Sequence, residues 1–427
     1  MDRFLMDRSL PLSSVPVWAI AFLATLGVIL RPGKIPQWIW PALSVGLLVV
    51  LRLLPMSSVF AGMAKGTDVY LFLFGMMLLA EVARQEGLFD WLAALAARWA
   101  KGSASRLFLL VYVVGTIVTA FLSNDATAVV LTPAVAAAVK AAKVEEPLPY
   151  LLICALIANA ASFVLPISNP ANLVIYGSHM PPLLQWLPRY ALASVASIIV
   201  TYFVLRWTQR GALRQKMSAD VLVPELTAAA KFAAAGILAT GVLLLTASAL
   251  DIQLGLPTAI AGLLTTAIVL IRQRKGPWET VKDISWGVLP LVAGLFVLVE
   301  ALDCTGLIAA LSTLLRQAST HAAEATAWGA GIAIAFVSNL LNNLPAALIA
   351  ADAVHSAHVG DHVTRAILIG VDLGPNLSIT GSLATILWLD ALKREGQHVS
   401  AGTFLKVGLI VMPPALLAAL AAARLFR

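Results

Sequence analysis

Charge is scarce in this sequence: Asp, Glu, Lys and Arg together make up 12% of 427 residues. A soluble domain carries roughly 25%, so a water-soluble globule is excluded, and disorder, a coiled coil and a collagen-like chain fall with it. Cysteine is scarcer still. With only Cys154 and Cys304, no disulfide framework and no CxxC metal pattern can be drawn. The GxxxxGK[ST] phosphate loop, the HExxH zinc helix and the GxSxG nucleophile turn are missing too. No cofactor, no resident metal and no enzymatic chemistry are therefore expected. What is abundant is apolar: 60% of the residues are hydrophobic and the mean hydropathy is +0.90. That is the composition of a chain that crosses a membrane many times. The net charge of +7 does not mark a nucleic-acid binder, because Lys and Arg fall mostly in short connectors between apolar runs, where the positive-inside rule puts them.

A helix needs about 20 apolar residues to cross about 30 Å of hydrocarbon. Runs near that length occupy 15–30, 37–54, 68–83, 187–207, 227–250, 256–271, 286–303 and 403–425. The opening MDRFLMDRSL mixes acids with bases and leads into the first run without a small-residue cleavage site, so 15–30 reads as a retained span. Four more stretches, 106–142, 150–178, 326–355 and 363–392, are apolar but interrupted by Ser, Asn, Asp, Gly and Pro. Broken helices at membrane depth persist only where they line a cavity or are buried in protein, so the interruptions mark the functional region. The expected architecture is an all-α polytopic membrane protein of about ten spans, surrounded by lipid in a bacterial or archaeal inner membrane. Arg206, Arg210, Arg214 and Lys216 form one basic connector, and Arg272, Arg274, Lys275 and Lys282 another. Two spans separate them, which places both on the cytoplasmic side.

The sequence repeats. Gly75, Leu79, Glu81, Gly87, Leu88, Leu92 and Leu95 recur as Gly294, Leu298, Glu300, Gly306, Leu307, Leu311 and Leu314. Some way downstream, FLSN at 121–124 recurs as FVSN at 336–339, each followed by an interrupted helix, IANAASFVLPISNPAN and GVDLGPNLSITGSLAT. The span count starts one repeat outside and the other inside, the inverted arrangement of many secondary transporters, whose site lies at the midplane between discontinuous helices. The chain divides accordingly into N-terminal spans (1–66), a first repeat (67–207; hairpin tip 123–125, broken helix 150–178), connecting spans and basic loops (208–283), and a second repeat (284–427; hairpin tip 338–343, broken helix 363–394).

FLSNDATAVVLTP resembles the hairpin-tip motif of the ion transporter superfamily. With SNLLNNLPAALI, IANAASFVLPISNPANLV and VDLGPNLSITGSLATILWL, the likeness narrows to the arsenite efflux permeases, the arsenical pump membrane proteins, over most of the chain from about Leu71. Asn159 departs from the Asp common in that family, and SNPAN replaces SNLVN. The resemblance implies two re-entrant hairpins and two broken helices, at 166–172 and 374–382. It implies export of a trivalent metalloid hydroxide, arsenite or antimonite, against entering protons, and partnership with a soluble arsenite-stimulated ATPase. A sodium/proton antiporter or a divalent-anion (dicarboxylate) carrier of the same superfamily is the alternative.

The candidate substrate-binding residues are Ser123, Asn124, Ser168, Asn169, Asn172, Ser338, Asn339, Asn342, Asn343, Thr380, Ser382 and Thr385. A neutral trihydroxide needs donors and acceptors rather than a counter-charge, and Asn offers both; the same side chains also cap short helices well. Asp125 and Asp372 are the candidate proton carriers. Burial disfavours the charged form and intramembrane acids are functional by default, although a half-helix N-terminus would hold such a carboxylate ionised. Glu81 and Glu300 read as interfacial acids, and Cys154 and Cys304 as packing residues. His355, His358 and His362 have a spacing that zinc could use but read as a solvated connector.

Overall fold

The computed structural model describes residues 14–30, 32, 35–177 and 180–425. The MDRFLMDRSL segment, Ser178 and Arg427 lie outside them. Among the described residues the chain is helical throughout. The stretch expected as the first repeat holds α4 (Thr67–Gln85), α5 (Leu88–Trp99), α6 (Ala104–Phe121), the single turn α7 (Asn124–Ala126), α8 (Thr132–Ala141), α9 (Leu148–Ala160), α10 (Pro170–Tyr176) and α11 (Leu183–Thr208). Before it stand α1 (Ser14–Leu30), α2 (Ile39–Val50) and α3 (Met56–Lys65). After it come the connecting spans α12 (Ala228–Ala249) and α13 (Gly255–Gln273) and the short α14 (Trp278–Asp283). The stretch expected as the second repeat holds α15 (Val288–Asp303), α16 (Leu307–Leu341), α17 (Asn343–Ala357), α18 (Asp361–Leu373), α19 (Leu383–Arg394) and α20 (Ala401–Arg424).

Six described helices, α6, α11, α12, α13, α16 and α20, are long and apolar enough to cross a bilayer, or up to seven if the pair α3–α4, bent by 49°, is one span. α1, α2 and α9 are apolar but shorter.

Four helical segments escape the hydropathy reading: α3, α5, α14 and the first half of α16. They are short and carry charge on one face, so their windows fall below span level. α5 and α16 nonetheless hold the repeated leucines. Each opens at a left-handed glycine, Gly87 at φ +76° and Gly306 at φ +86°, the conformation glycine adopts without strain. α16 bends at Ala322 (φ −152°, ψ 73°), where its amphipathic half gives way to the hairpin arm.

Hydrogen bonds and ion pairs sort the connectors onto two faces. Ser103 bridges to Lys216 and the Ser218 N–H donates to Ala142 O, so both arms of the first hairpin, α6 and α8, end against the basic 209–218 loop. The end of α4 meets the second basic loop through Lys275–Glu86 (3.1 Å) and Arg84–Asp283 (3.0 Å). Arg189–Asp361 (3.2 Å) and Glu324–Arg424 (2.9 Å) gather the ends of the second hairpin at the other end of α11, 26 residues long. The open ends of the two helical hairpins therefore lie at opposite ends of α11.

α16 and α18 approach most closely where small residues face each other. A Cβ on Gly370 would lie 2.2 Å from Gly331 O, and one on Gly374 would lie 2.3 Å from Ala335 O. In a bilayer, where burial of apolar groups gives no driving force between helices, such small-xxx-small faces let backbones pack directly. This contact seats the outgoing arm of the second hairpin on the second broken helix.

Candidate functional site

Both broken helices restart in the same way. A 3₁₀ turn, Pro166–Ser168 or Ile379–Gly381, leads into a cap residue with extended backbone, Asn169 or Ser382. Asn169 Oδ1 accepts from the Ala171 N–H (3.0 Å), and Ser382 Oγ accepts from the Thr385 N–H (3.1 Å). The register that pairs these caps also pairs Asn172 with Thr385 and Asn159 with Asp372.

The two breaks lock together across the repeats. Asn169 Nδ2 donates to Asp372 Oδ1 at 2.7 Å, and Asn159 Nδ2 donates to Asn376 Oδ1 at 3.0 Å. Asn376 Nδ2 then donates to Leu156 O at 3.0 Å. Asp372 is wholly buried, and its Oδ2 has no hydrogen-bond partner; the Ser162 hydroxyl, which donates to Asn159 O, is a polar neighbour. Asn159 Oδ1 and Asn172 Oδ1 are buried acceptors in the same condition. Native structures satisfy nearly all such atoms, so an exception calls for an explanation. Three acceptors around one crossing suit species that bring their own hydrogens.

The remaining expected residues divide by hairpin. At the second tip Asn339 Nδ2 donates to Gly374 O (2.9 Å) and Ala335 O (2.8 Å), while its Oδ1 accepts from Ser378 Oγ (2.7 Å). Thr380 Oγ1 donates to Asn339 O (2.8 Å) and Asn342 Nδ2 to Thr380 O (3.4 Å). Asn342 sits at φ 74°, ψ 152°, a region nearly reserved for glycine and strained by roughly 1–3 kcal/mol for other residues. Asn343 and Ser338 are buried beside it, Ser338 Oγ donating to Ile334 O (2.8 Å). At the first tip Ser123 Oγ accepts from the Ala126 N–H (3.3 Å) and Asn124 Oδ1 from the Asp125 N–H (2.9 Å), the capping role weighed above. The return arm begins with a π turn at Thr127–Leu131, and the Thr127 and Thr119 hydroxyls pair at 2.8 Å. Ser168 Oγ donates to Ala120 O at 3.0 Å, tying the first break to the first hairpin. Asn172 Nδ2 donates to Ser162 O at 2.9 Å, and the Ser382 and Thr385 hydroxyls pair at 2.9 Å.

A small cavity of about 70 Å³ reaches the first tip from the basic-loop face. Among its walls are Glu81, Ser123, Asp125, Asp283 and Ser285. Asn124, Asn339 and the candidate Ser, Thr and Asn residues of the broken helices do not line it; they are taken up by the hydrogen bonds above. A larger void of about 670 Å³, between α1, α15, α16 and α17, is walled almost wholly by apolar side chains such as Phe22, Leu298 and Val337.

Residues 12–374 match the family described as CitMHS, citrate transporter. The chain belongs to the CitMHS family. This CitMHS member is 27% identical over 359 residues to the arsenical pump membrane protein of Yersinia enterocolitica, covering 81% of this chain and 83% of that one. To its Escherichia coli K12 counterpart it is 26% identical over 363 residues, with the same coverage. The YdaH transporter of Alcanivorax borkumensis shares the fold at TM-score 0.55 and 14% identity over 87% of both chains. MtrF of Neisseria gonorrhoeae, described with a class of antimetabolite efflux pumps, does so at TM-score 0.54 and 14% identity, over 86% of this chain and 83% of its own. This CitMHS member is thus an all-α, multi-pass bacterial membrane transporter and not an enzyme, and its resemblance to the arsenical pump membrane proteins stands.

Some participants were not singled out by the motifs. Asn376 and Ser378 lie inside the GPNLSITGS segment, and Asn159 stands out only as a departure from the family pattern; each carries a bond that holds the crossing together. Glu81 is buried and engaged by Arg84 and Gln85 rather than free at an interface. The three histidines do not share one helix: His355 lies in the last turn of α17, His358 makes the left-handed turn after it, and His362 lies in the first turn of α18. Among the described residues no group of three His, Cys, Asp or Glu is placed to hold a metal ion.

Cys154 is fully buried in α9, with Sγ 3.9 Å from Tyr150 O, whereas Cys304 is exposed at the end of α15. The second position corrects the expectation that both pack in apolar surroundings. Neither borders the crossing described above. Cys154→Ser and Cys304→Ser should keep transport within about twofold of the parent, since such thiols act as small hydrophobes. Rates in vesicles of the single and double variants check this.

Proposed function

We propose that this protein exports a neutral trivalent metalloid hydroxide, arsenite or antimonite, in exchange for protons. The observation that carries this reading is the chemistry of the crossing between the two broken helices. Its side chains are amides, hydroxyls and one carboxyl: Asn159, Asn169, Asn172, Asn339, Asn376, Ser378, Thr380 and Asp372. Such a set can donate to and accept from three hydroxyls without a fixed counter-charge. Asp372, the one acid there, is the proposed proton carrier, with Asp125 at the cavity mouth as the second. A neutral cargo does not feel the membrane potential, so uphill export needs a returning charge, and a titrating carboxyl supplies it.

The citrate transporter family match favours a second reading, a carrier of di- or tricarboxylates. A carboxylate cargo calls for Arg or Lys in the site. The cavity that approaches the first tip is instead lined by Glu81, Asp125 and Asp283, two of them already paired with Arg84, and by no Arg or Lys, which leaves it without a cation to hold a carboxylate. Expression in a strain deprived of its own arsenite exporters tests the first reading: arsenite and antimonite tolerance should rise. Unchanged tolerance together with citrate-dependent growth would favour the second.

A further inference from the structure

The ends of α4 and α15 match across the repeat, Glu81 with Glu300 and Arg84 with Asp303. At the basic-loop face Arg84 is the cation: its Nε donates to Glu81 Oε2 (2.9 Å), and its Nη2 lies 3.0 Å from Oδ2 of Asp283, the last residue of α14. At the opposite face the signs are exchanged. Asp303 stands where Arg84 would, and the cation comes from the last residue of α3, Lys65, whose Nζ is 2.7 Å from Glu300 Oε2. α14 precedes α15 as α3 precedes α4, so the two clusters are the same device with one charge pair reversed. That reversal preserves a cation beside each Glu, which a chance arrangement of surface charges would not do.

One feature breaks the correspondence. Lys65 Nζ also lies 3.9 Å from Oδ2 of Asp352, on α17, the return arm of the second hairpin. The return arm of the first hairpin, α8, reads TPAVAAAVKA and has no acid to match Asp352. The cluster at the basic-loop face therefore links α4 to the α14–α15 connection and leaves the first hairpin untied. There the cavity opens between the hairpin tip, at Ser123 and Asp125, and the helices α4 and α15. The cluster at the other face reaches a hairpin. Lys65, Glu300, Asp303, Asp352 and the neighbouring His355 make up its charges.

We propose that Lys65 is a positioning residue that ties the second hairpin to the α3–α15 frame through Asp352, holding the face opposite the basic loops shut while the basic-loop face is open. Release of cargo on the far side then requires the Lys65–Asp352 link to part. This rests on the chain being a transporter and not on which cargo it carries.

The test uses a Cys154→Ser/Cys304→Ser background. Lys65→Cys with Asp352→Cys, bridged by a short reductant-cleavable bis-methanethiosulfonate, should stop transport, and reduction should restore it; the recovery shows that the variant is folded. In the same background Val129→Cys, on the cavity wall, reports access from the basic-loop face to a membrane-impermeant thiol reagent. Adding Asp352→Asn should cut that access by about two- to fivefold, the weight of one partly exposed ion pair on a two-state balance, and Asp352→Glu should restore it. Unimpaired transport in the bridged protein, or unchanged Val129→Cys access in Asp352→Asn, would overturn the proposal. The labelling arm needs no cargo, so a failure of the metalloid reading would appear separately, as absent metalloid transport before any bridging.

Discussion

Replacing Asp372 by Asn should abolish gradient-driven metalloid accumulation while downhill exchange continues. Asp372 is wholly buried, and one oxygen accepts from Asn169 across the repeat interface while the other is unpartnered. An amide keeps the size and can keep the contact with Asn169 by presenting its oxygen, so the crossing should still form and still bind a hydroxide. What it loses is the ability to take up and release a proton. We expect the accumulation ratio to fall at least about tenfold, because the carboxyl proposed to couple proton movement to the cargo at the crossing is gone. The corresponding change at Asp125, which borders the cavity mouth, should have the smaller effect if Asp372 is the carrier. Accumulation ratio and counterflow, measured in the same vesicles, separate the two activities. An Asp372→Asn protein that still accumulates cargo along a proton gradient would move the carrier to another acid.

Gly374→Val should be nearly as severe for a different reason. The Cβ of any larger residue at 374 would lie 2.3 Å from the Ala335 carbonyl oxygen and 2.6 Å from the Ala335 Cα. Backbone faces backbone there, so no side chain can turn aside, and α18 must leave α16. Overpacking alone costs typically 1–3 kcal/mol, and the displacement would also pull Gly374 O away from Asn339 Nδ2, undoing the second tip. We expect transport below about a tenth of the parent and reduced thermal stability in detergent. Gly329→Val, on α16 with nothing within 4 Å of its Cβ position, is the control and should be tolerated. Parent-like stability and transport in Gly374→Val would show that the α16–α18 contact is not essential.

Much of this was legible in the sequence, for identifiable reasons. Long apolar windows betray spans such as α11, α12, α13 and α20, since hydrocarbon thickness fixes their length. The repeat was legible because Gly87 and Gly306 need the same left-handed start and the SN pairs mark the same tips. The short amphipathic helices were not, since α3, α5 and α14 lie below span length and α3 contributes its charge only at its last residue, Lys65. The α16–α18 face was invisible for another reason: Gly331, Ala335, Gly370 and Gly374 form a face only when two segments distant in sequence meet. The site residues were recognised by type, but their pairing was not. Nothing in the sequence joins Asn169 to Asp372 or Asn159 to Asn376, because those bonds arise from one repeat packing against the other. Asn124 and Asn172 show the limit most clearly, since their hydrogen bonds serve the local turn.

The most direct test of the account is metalloid uptake into everted vesicles under an imposed pH gradient, acid inside, with citrate and sodium as parallel substrates. The account predicts that arsenite and antimonite accumulate inside, that accumulation collapses with the gradient, and that citrate neither accumulates nor competes. Gradient-driven citrate movement without metalloid movement would contradict it.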